Sequence, residues 1–376
     1  MTTLNFAMVG YAFMGKAHSH ALHDVVEFFP DLPARPVRKV LCGRTGAEVE
    51  RVATQWGWES WTTDWRDAIG RSDVDAVIVG TPNHTHHEIC LAALAAGKHV
   101  LCEKPLALTL TQAGEMAAAA QRAGVCHGVA FNYRRVPAVT LARQVITERR
   151  LGRIYHIRSS FLQDWLLDPA VPMSWRLRKE DAGSGALGDL LSHSIDLARY
   201  LVGEFREVIA DVTTFIPQRP RAGGRGGPDG VTVDDRAALL ARFVDGTVGT
   251  FEASRLAAGR KAANTVEVYG EQGSLRFNQE RLNELEFYAV SDPPQLQGSR
   301  TILVTEPSHP YIAAWWPPGH IIGWEHTFVH QLRDFIVAAV TGARFDPDFA
   351  AGAACQRVLD AAERSLASRT WTQVPR

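Results

Sequence analysis

No two of the five cysteines, Cys42, Cys90, Cys102, Cys126 and Cys355, are spaced Cys-x-x-Cys, and their number is odd. A disulfide framework is therefore not expected, and the plain reading is a reduced, cytoplasmic protein with small buried thiols. No apolar run approaches the roughly 18–20 residues of a membrane span. The first residues enter a strand-like segment with no basic stretch and long apolar run before it, so a secretory leader is not expected. An excess of either charge is missing too. Forty basic and 41 acidic residues leave a formal net charge of −1, which points to neither nucleic acid nor an anionic membrane as partner. What is present is apolar bulk: 46% hydrophobic against 22% charged residues suffices for a sizeable core, and 376 residues suggest two domains.

Up to about residue 131 the chain alternates strand-like and helix-like runs. Asn5–Val9, Val37–Gly43, Ala76–Gly80, His99–Glu103 and Val125–Phe131 read as strands, with helices over Gly46–Trp56, His86–Ala96 and Thr111–Ala123. Continuous apolar strands separated by helices predict a doubly wound parallel α/β sheet, which takes ligands at the carboxyl ends of its strands. From residue 132 consecutive strands dominate, with helices over Ala138–Arg149 and Gly185–Val202, and Asp245-Gly246 marks a hairpin. This predicts an α+β domain over 132–376 with a large open, mostly antiparallel sheet. Its last helices, from Trp324 to Leu366, are candidates to dock back on the first domain. Arg219–Gly230, RPRAGGRGGPDG, reads as a mobile loop.

The first strand runs into Gly10-Tyr11-Ala12-Phe13-Met14-Gly15. In a dinucleotide fingerprint the first glycine makes the turn, the second admits the pyrophosphate, and the third lets the helix pack. Gly10 and Gly15 hold the outer positions. Ala12 replaces the middle glycine with one extra methyl group, which a slightly wider turn accommodates. Ala12, Phe13 and Met14 would then face a pyrophosphate at a helix N-terminus. The second strand ends Leu41-Cys42-Gly43-Arg44-Thr45 without an acid for a ribose 2′-hydroxyl. Arg44 and Thr45 could hold a 2′-phosphate, although Arg44 could instead stack on adenine. NADP is expected slightly ahead of NAD.

Two further strand ends carry Thr81-Pro82-Asn83-His84-Thr85-His86-His87 and Glu103-Lys104-Pro105. Thr81, His86, Glu103 and Lys104 are candidate cofactor contacts. The later segment Gly185–Leu201, GALGDLLSHSIDLARYL, has a polar line if it is helical. At 100° per residue Asp189, His193, Asp196 and Tyr200 fall within about 60° of one another. An acid–histidine pair at i, i+4 can chelate a metal. The preferred reading is a histidine base, because a neutral imidazole suits removal of a hydroxyl proton.

With TPNHTHHE, CEKPLA, GALGDLLSHSIDLARYL and the N-terminal fingerprint, the chain resembles the glucose–fructose oxidoreductase, inositol dehydrogenase and rhizopine catabolism (Gfo/Idh/MocA) oxidoreductases over nearly its whole length. The resemblance implies NAD(P)-dependent oxidation of a secondary alcohol on a sugar or cyclitol, with no metal. It assigns catalysis to Lys104, Asp189 and His193, and places Asn83 and Asn132 (in FNYRR) near the nicotinamide. His193 would be the base. Asp189 would hold the substrate hydroxyl or orient the base, and Lys104 would face the developing alkoxide charge. Asp196 reads as a supporting hydrogen-bond partner.

Gln163, Asp164, Trp165 and Arg176 are candidate walls for a sugar, since aromatic faces pack on C–H surfaces while charged and amide groups bind hydroxyls. Trp315 and Trp316 could line the pocket or an interface. FLQDW, SWRLRK and AGSGALGD are similar to segments of levoglucosan-type and other sugar or inositol dehydrogenases. The missing acid after strand two and the segment WWPPGHIIGWEH depart from the levoglucosan enzymes. A homodimer or homotetramer is expected through the open sheet face, because a monomer seldom exposes a large apolar patch. Two rival functions remain. One is an NAD-dependent glycoside hydrolase working by transient oxidation and elimination, and the other is a non-catalytic NAD(P)-sensing regulator.

Overall fold

The computed structural model describes residues 2–223 and 227–375. Its chain forms two compact units, Met1–Arg135 with Gly323–Ala354, and Val136–Ile322 with Cys355–Arg376.

The first unit follows the expected alternation: β1 (Thr2–Val9), α1 (Phe13–Phe28), β2 (Ala34–Cys42), α2 (Gly46–Trp56), β3 (Ser60–Thr62), α3 (Trp65–Gly70), β4 (Ala76–Val79), α4 (His86–Ala95), β5 (His99–Cys102), α5 (Leu110–Ala123) and β6 (His127–Val129). All six strands are parallel, in the order β3-β2-β1-β4-β5-β6. Strand order reverses between β1 and β4, and ligands of such sheets bind at that reversal, beyond the strands' carboxyl ends. β4 and the inner half of β1 are wholly buried, as strands covered on both faces must be. β3 was not expected from the sequence. It is a three-residue edge strand, Ser-Trp-Thr, too short and polar to signal itself.

The second unit opens with α6 (Pro137–Thr147), β7 (Ile154–Leu162), α7 (Lys179–Ala182), α8 (Ala186–Asp189) and α9 (Leu191–Leu201). It continues through β8 (Phe205–Thr213), β9 (Gln218–Arg219), β10 (Asp229–Gly230), β11 (Arg236–Phe243), β12 (Val248–Ser254), β13 (Ala263–Gly270), β14 (Gly273–Asn278), β15 (Glu284–Ala289) and β16 (Arg300–Leu303). After α10 (His326–Thr341) and α11 (Phe349–Ser368), β17 (Thr372–Gln373) completes a nine-stranded sheet, ordered β16-β15-β14-β13-β7-β12-β11-β8-β17. Only β7 and β12 run parallel within it. The expected Asp245-Gly246 turn joins β11 to β12, with Gly246 at φ 92° and the Thr247 amide donating to Asp245 at 2.9 Å. In β11, Ala237, Leu239, Ala241 and Phe243 point into the core, on the face where α9 lies.

The opposite face differs from the flat apolar patch expected. Register places Arg158, Glu267, Arg276 and Glu286 side by side across β7, β13, β14 and β15. Successive ion pairs of 3.4, 3.4 and 3.0 Å join them. Opposite charges directly across a sheet stabilise it modestly. The RPRAGGRGGPDG segment also departs from expectation. Its ends pair as β9 and β10, and Arg219 is fully buried, donating to the Leu166 and Asp168 carbonyls at 2.6 and 2.8 Å. The middle of that segment, 224–226, lies outside the described residues.

α10 belongs to the first unit, where it packs on α1 and β2. Two buried arginines of FNYRR hold the returning segment. Arg134 meets Asp346 at 3.1 Å and Arg135 meets Asp334 at 3.2 Å. On α10, His330 is fully buried and its Nδ1 lies 2.9 Å from the Arg135 carbonyl. Burial pushes its pKa down to about 3. The unfolded chain takes up this proton near the ordinary value of about 6.5, so the neutral-histidine contribution is full above that pH and is lost as pH falls towards 3. For one proton this is roughly 1.4 kcal/mol per pH unit. Between pH 7 and 5 the denaturant-derived stability should therefore fall by up to about 2 kcal/mol more in the native chain than in H330Q. Equal falls in both would show that His330 does not titrate as described.

Candidate active site

The candidate residues divide between the two units. In the first, the turn after β1 is built by contact between backbones. Gly10 sits at φ 108°, and a Cβ there would lie 2.7 Å from the Gly80 carbonyl oxygen, in the loop after β4. A Cβ on Gly15 would lie 2.2 Å from the Gly10 carbonyl oxygen. Both glycines are sterically required, and they bring the ends of β1 and β4 together at the strand reversal. Ala12 is exposed at the N-cap of α1, so its methyl group obstructs no packing. The first turn of α1 has neither a side-chain cap nor an acidic residue. Its amides and positive dipole end thus suit an anion, and the cradle fits a pyrophosphate. Phe13 is exposed and stacks on Trp324 at 5.3 Å, while Met14 is half-buried.

Beyond β2, Arg44 and Thr45 are exposed. Gly43 lies under the Tyr11 ring, where a Cβ would fall 1.9 Å from a ring carbon. The Tyr11 hydroxyl donates to Glu48, in the first turn of α2, at 3.0 Å. An acid therefore stands near this edge, although none ends the strand itself. The thiol of Cys42, at the end of β2, is pushed up to about 12, mainly by burial, and is not a nucleophile near neutral pH.

The loop after β4 carries Thr81, whose hydroxyl lies 2.5 Å from that of Thr85, and the buried Asn83. The three histidines diverge. His84 is exposed, and His87 meets Glu115 at 2.6 Å. His86 is fully buried, its ring nitrogens 3.0 Å from the Thr81 and Pro105 carbonyls, and burial lowers its pKa. The His86 side chain, expected as a cofactor contact, thus packs inward on two loop carbonyls. It braces the loops after β4 and β5 from beneath.

Glu103 also turns inward. Its Oε1 lies 2.8 Å from Nε2 of the fully buried His18, and its Oε2 accepts the Lys104 N–H at 3.2 Å. The carboxylate is thus a foundation under Lys104. Sequence reading missed His18. Its one signal was a position three residues after Gly15, on the packed face of α1. Lys104 is half-buried at the end of β5, and Asn132 is buried, donating to the Thr327 hydroxyl at 2.8 Å.

In the second unit Asp189 and His193 do not share one continuous helix. α8 ends at Asp189, α9 begins at Leu191, and the His193 N–H bonds to Leu190 three residues back at 3.1 Å. The start of α8 is held by a clamp. The buried Asp234 accepts the N–H groups of Gly185 and Leu187, each at 2.8 Å. A Cβ on Gly185 would strike the Asp234 backbone oxygen at 1.8 Å. Asp189 is half-buried and lies 3.0 Å from Arg255, another residue that sequence reading missed. His193 is buried with its ring 5.8 Å from that of Phe161, and Asp196 is buried on the same helix.

Gln163 follows β7 and donates its N–H to the Ser254 carbonyl at 2.8 Å. Trp165 is 40% exposed, so its ring is open to a ligand. The Arg176 guanidinium lies 4.4 Å from the Trp175 ring centre. Asp164, expected in a sugar wall, is held by its neighbours. Its carboxylate takes Lys261 at 2.7 Å and the Gly259 N–H at 3.1 Å, and the lysine holds it below the usual carboxylate range. It clasps a surface loop. Trp315 is half-buried and Trp316 exposed.

Comparison with known proteins matches residues 4–131 to the oxidoreductase family with an NAD-binding Rossmann fold, and residues 139–276 to the GFO/IDH/MocA C-terminal domain. The levoglucosan dehydrogenase of Pseudarthrobacter phenanthrenivorans is 45% identical over 100% of this chain and 99% of its own. An oxidoreductase domain protein from Kribbella flavida superposes with a TM-score of 0.97 at 48% identity, covering both chains completely. A levoglucosan dehydrogenase in complex with NADH and levoglucosan does so with a TM-score of 0.96 at 44% identity, also over both complete chains.

His18 and Glu103 should behave as a coupled pair. H18L leaves a buried carboxylate without its imidazole partner and is expected to cost about 2–4 kcal/mol of stability. Adding E103Q should recover at least about 1 kcal/mol in a denaturation double-mutant cycle. Strict additivity would dissolve the pair.

Proposed function

The chain belongs to the GFO/IDH/MocA oxidoreductase family, and from that premise we propose that it is a nicotinamide-dinucleotide-dependent dehydrogenase interconverting a secondary alcohol and a ketone on a sugar, anhydrosugar or cyclitol. The observation that carries the reading is one chain with three features. They are the glycine cradle at the strand reversal, Lys104 on a buried His18–Glu103 foundation, and Asp189–His193 on a clamped helix pair. Whole-length identity of 45% to a levoglucosan dehydrogenase supports an anhydrosugar or related polyol as substrate.

A bound dinucleotide supplies the acceptor for the hydride that leaves the carbinol carbon. The chain's own groups deal with the rest. His193 takes the hydroxyl proton, a task that contributes about 10²–10⁴-fold when the base titrates near neutrality. Lys104 sets a cation where alkoxide charge develops. Asp189 accepts a hydrogen bond from a substrate hydroxyl. Trp165 offers a face to sugar C–H groups, and Gln163 and Arg176 offer partners to further hydroxyls.

NAD is the favoured form. The solved relative carries NADH, and Glu48, fixed by Tyr11, puts an acid near the end of β2. Exposed Arg44 is the residue that would admit NADP. We also infer that a second copy of the chain covers the outer sheet face, because the alternating Arg158–Glu267–Arg276–Glu286 ladder can meet itself across a two-fold axis with charges opposed. Light scattering should then give at least a dimer, weakened by E267R; a monomer at micromolar concentration would rule this out.

The activity test is absorbance at 340 nm with levoglucosan, monosaccharides and inositols, using NAD and NADP separately. Net reduction is expected with at least one sugar. Cofactor cycling without net reduction would indicate the oxidation–elimination hydrolase instead. K104A should lose at least about 10²-fold in kcat while still binding dinucleotide by fluorescence. Normal turnover by K104A would remove the lysine from the mechanism.

A further inference from the structure

Arg255, the first residue after β12, is fully buried. Its backbone is pinned on both sides. Its N–H donates to the Asp235 carbonyl at 2.9 Å, and its carbonyl accepts the Leu166 N–H at 3.2 Å. Its guanidinium touches three of the residues expected to face the sugar. Nη2 lies 3.0 Å from Oδ2 of Asp189, Nη1 donates to the Arg176 carbonyl at 3.3 Å, and the group lies 5.6 Å from the ring centre of Trp165.

A guanidinium without access to water needs a counter-charge. The other buried arginine nearby, Arg219, faces the charges of Asp235 and Asp168. The carboxylate in contact with Arg255 is that of Asp189, whose side chain keeps 23% exposure against 1% for the arginine. The pair is therefore arranged front to back, the cation inside and the carboxylate at the accessible end. A planar fork fixes the direction of its hydrogen bonds, which an ammonium on a flexible stem would not.

We propose that Arg255 is a positioning residue for the sugar site: it orients Asp189 from behind, and through the Arg176 carbonyl and the Trp165 ring it sets the spacing of the wall that recognises the polyol. This rests on the reading of Asp189 as a substrate-hydroxyl acceptor. Arg255 is placed to touch neither substrate nor cofactor, so its effect passes through those three residues and falls on the sugar rather than on the dinucleotide.

The experiment compares R255K, R255A, D189N and the double variant D189N/R255A as full-length protein. Each is assayed for kcat/KM with the best polyol of the activity screen and for dinucleotide affinity by fluorescence. R255K and R255A should each lose at least 10-fold in kcat/KM for the polyol, with dinucleotide affinity within two-fold of the parent. Added guanidinium at millimolar concentration should fill the space left in R255A and restore activity at least five-fold, leaving D189N unaffected. The double variant should be no slower than D189N. Retained activity in R255A overturns the proposal, as does a loss that guanidinium does not restore or that multiplies with D189N. Full activity in D189N would instead overturn the reading of Asp189, and a loss in D189N without one in R255A would leave that reading standing and remove the arginine.

Discussion

A carboxylate withdrawn from water and held by fixed donors is a device that recurs in both units of the chain, beside the candidate residues of each. Glu103 sits between the His18 imidazole and the Lys104 N–H, and Asp234 accepts two backbone N–H groups at the start of α8. Each carboxylate has paid the cost of burial with directional bonds, and the bonds act on the residues beside it. The backbone of Lys104 is fixed by the first. The helix that ends at Asp189 is started by the second. A buried ion with its donors in place resists rotation, so the groups that face solvent inherit rigidity from groups that do not.

The fold was largely legible from periodicity. Apolar strands alternating with helices announced the parallel sheet, and the Asp245-Gly246 turn announced the hairpin of β11 and β12. The glycines of the first turn were legible as residues that tolerate no Cβ, because the requirement is local. The roles of the side chains were less legible. His86 and Glu103 stood at strand ends in polar company, which suggested a ligand, yet each turns inward to a partner many residues away. Asp164 likewise found Lys261. Asp234, which clamps the start of α8, lies well downstream, and no helical wheel drawn on one segment contains it. Arg255 lay in no motif at all. Sequence spacing reports which residues share an element, whereas the partner of a buried charge is decided by non-local packing.

The outer face of the nine-stranded sheet shows the same limit differently. The cross-strand register that lines up Arg158, Glu267, Arg276 and Glu286 depends on how four separate strands align. A face expected to be greasy is striped with charge, which changes the kind of association it supports from apolar burial to salt-sensitive matching.

The first unit borrows α10 from beyond residue 323, and Arg134 and Arg135 keep their acidic partners on that late segment. During translation the six strands are complete once Val129 has left the ribosome, but the helix that packs on α1 and β2 emerges only after everything up to His326. Through that interval the nascent parallel sheet lacks one of its coverings, and two arginines lack their counter-ions. A fragment cut at residue 135 would lack this late helix and both acidic partners, so the first unit is not a contiguous stretch of chain.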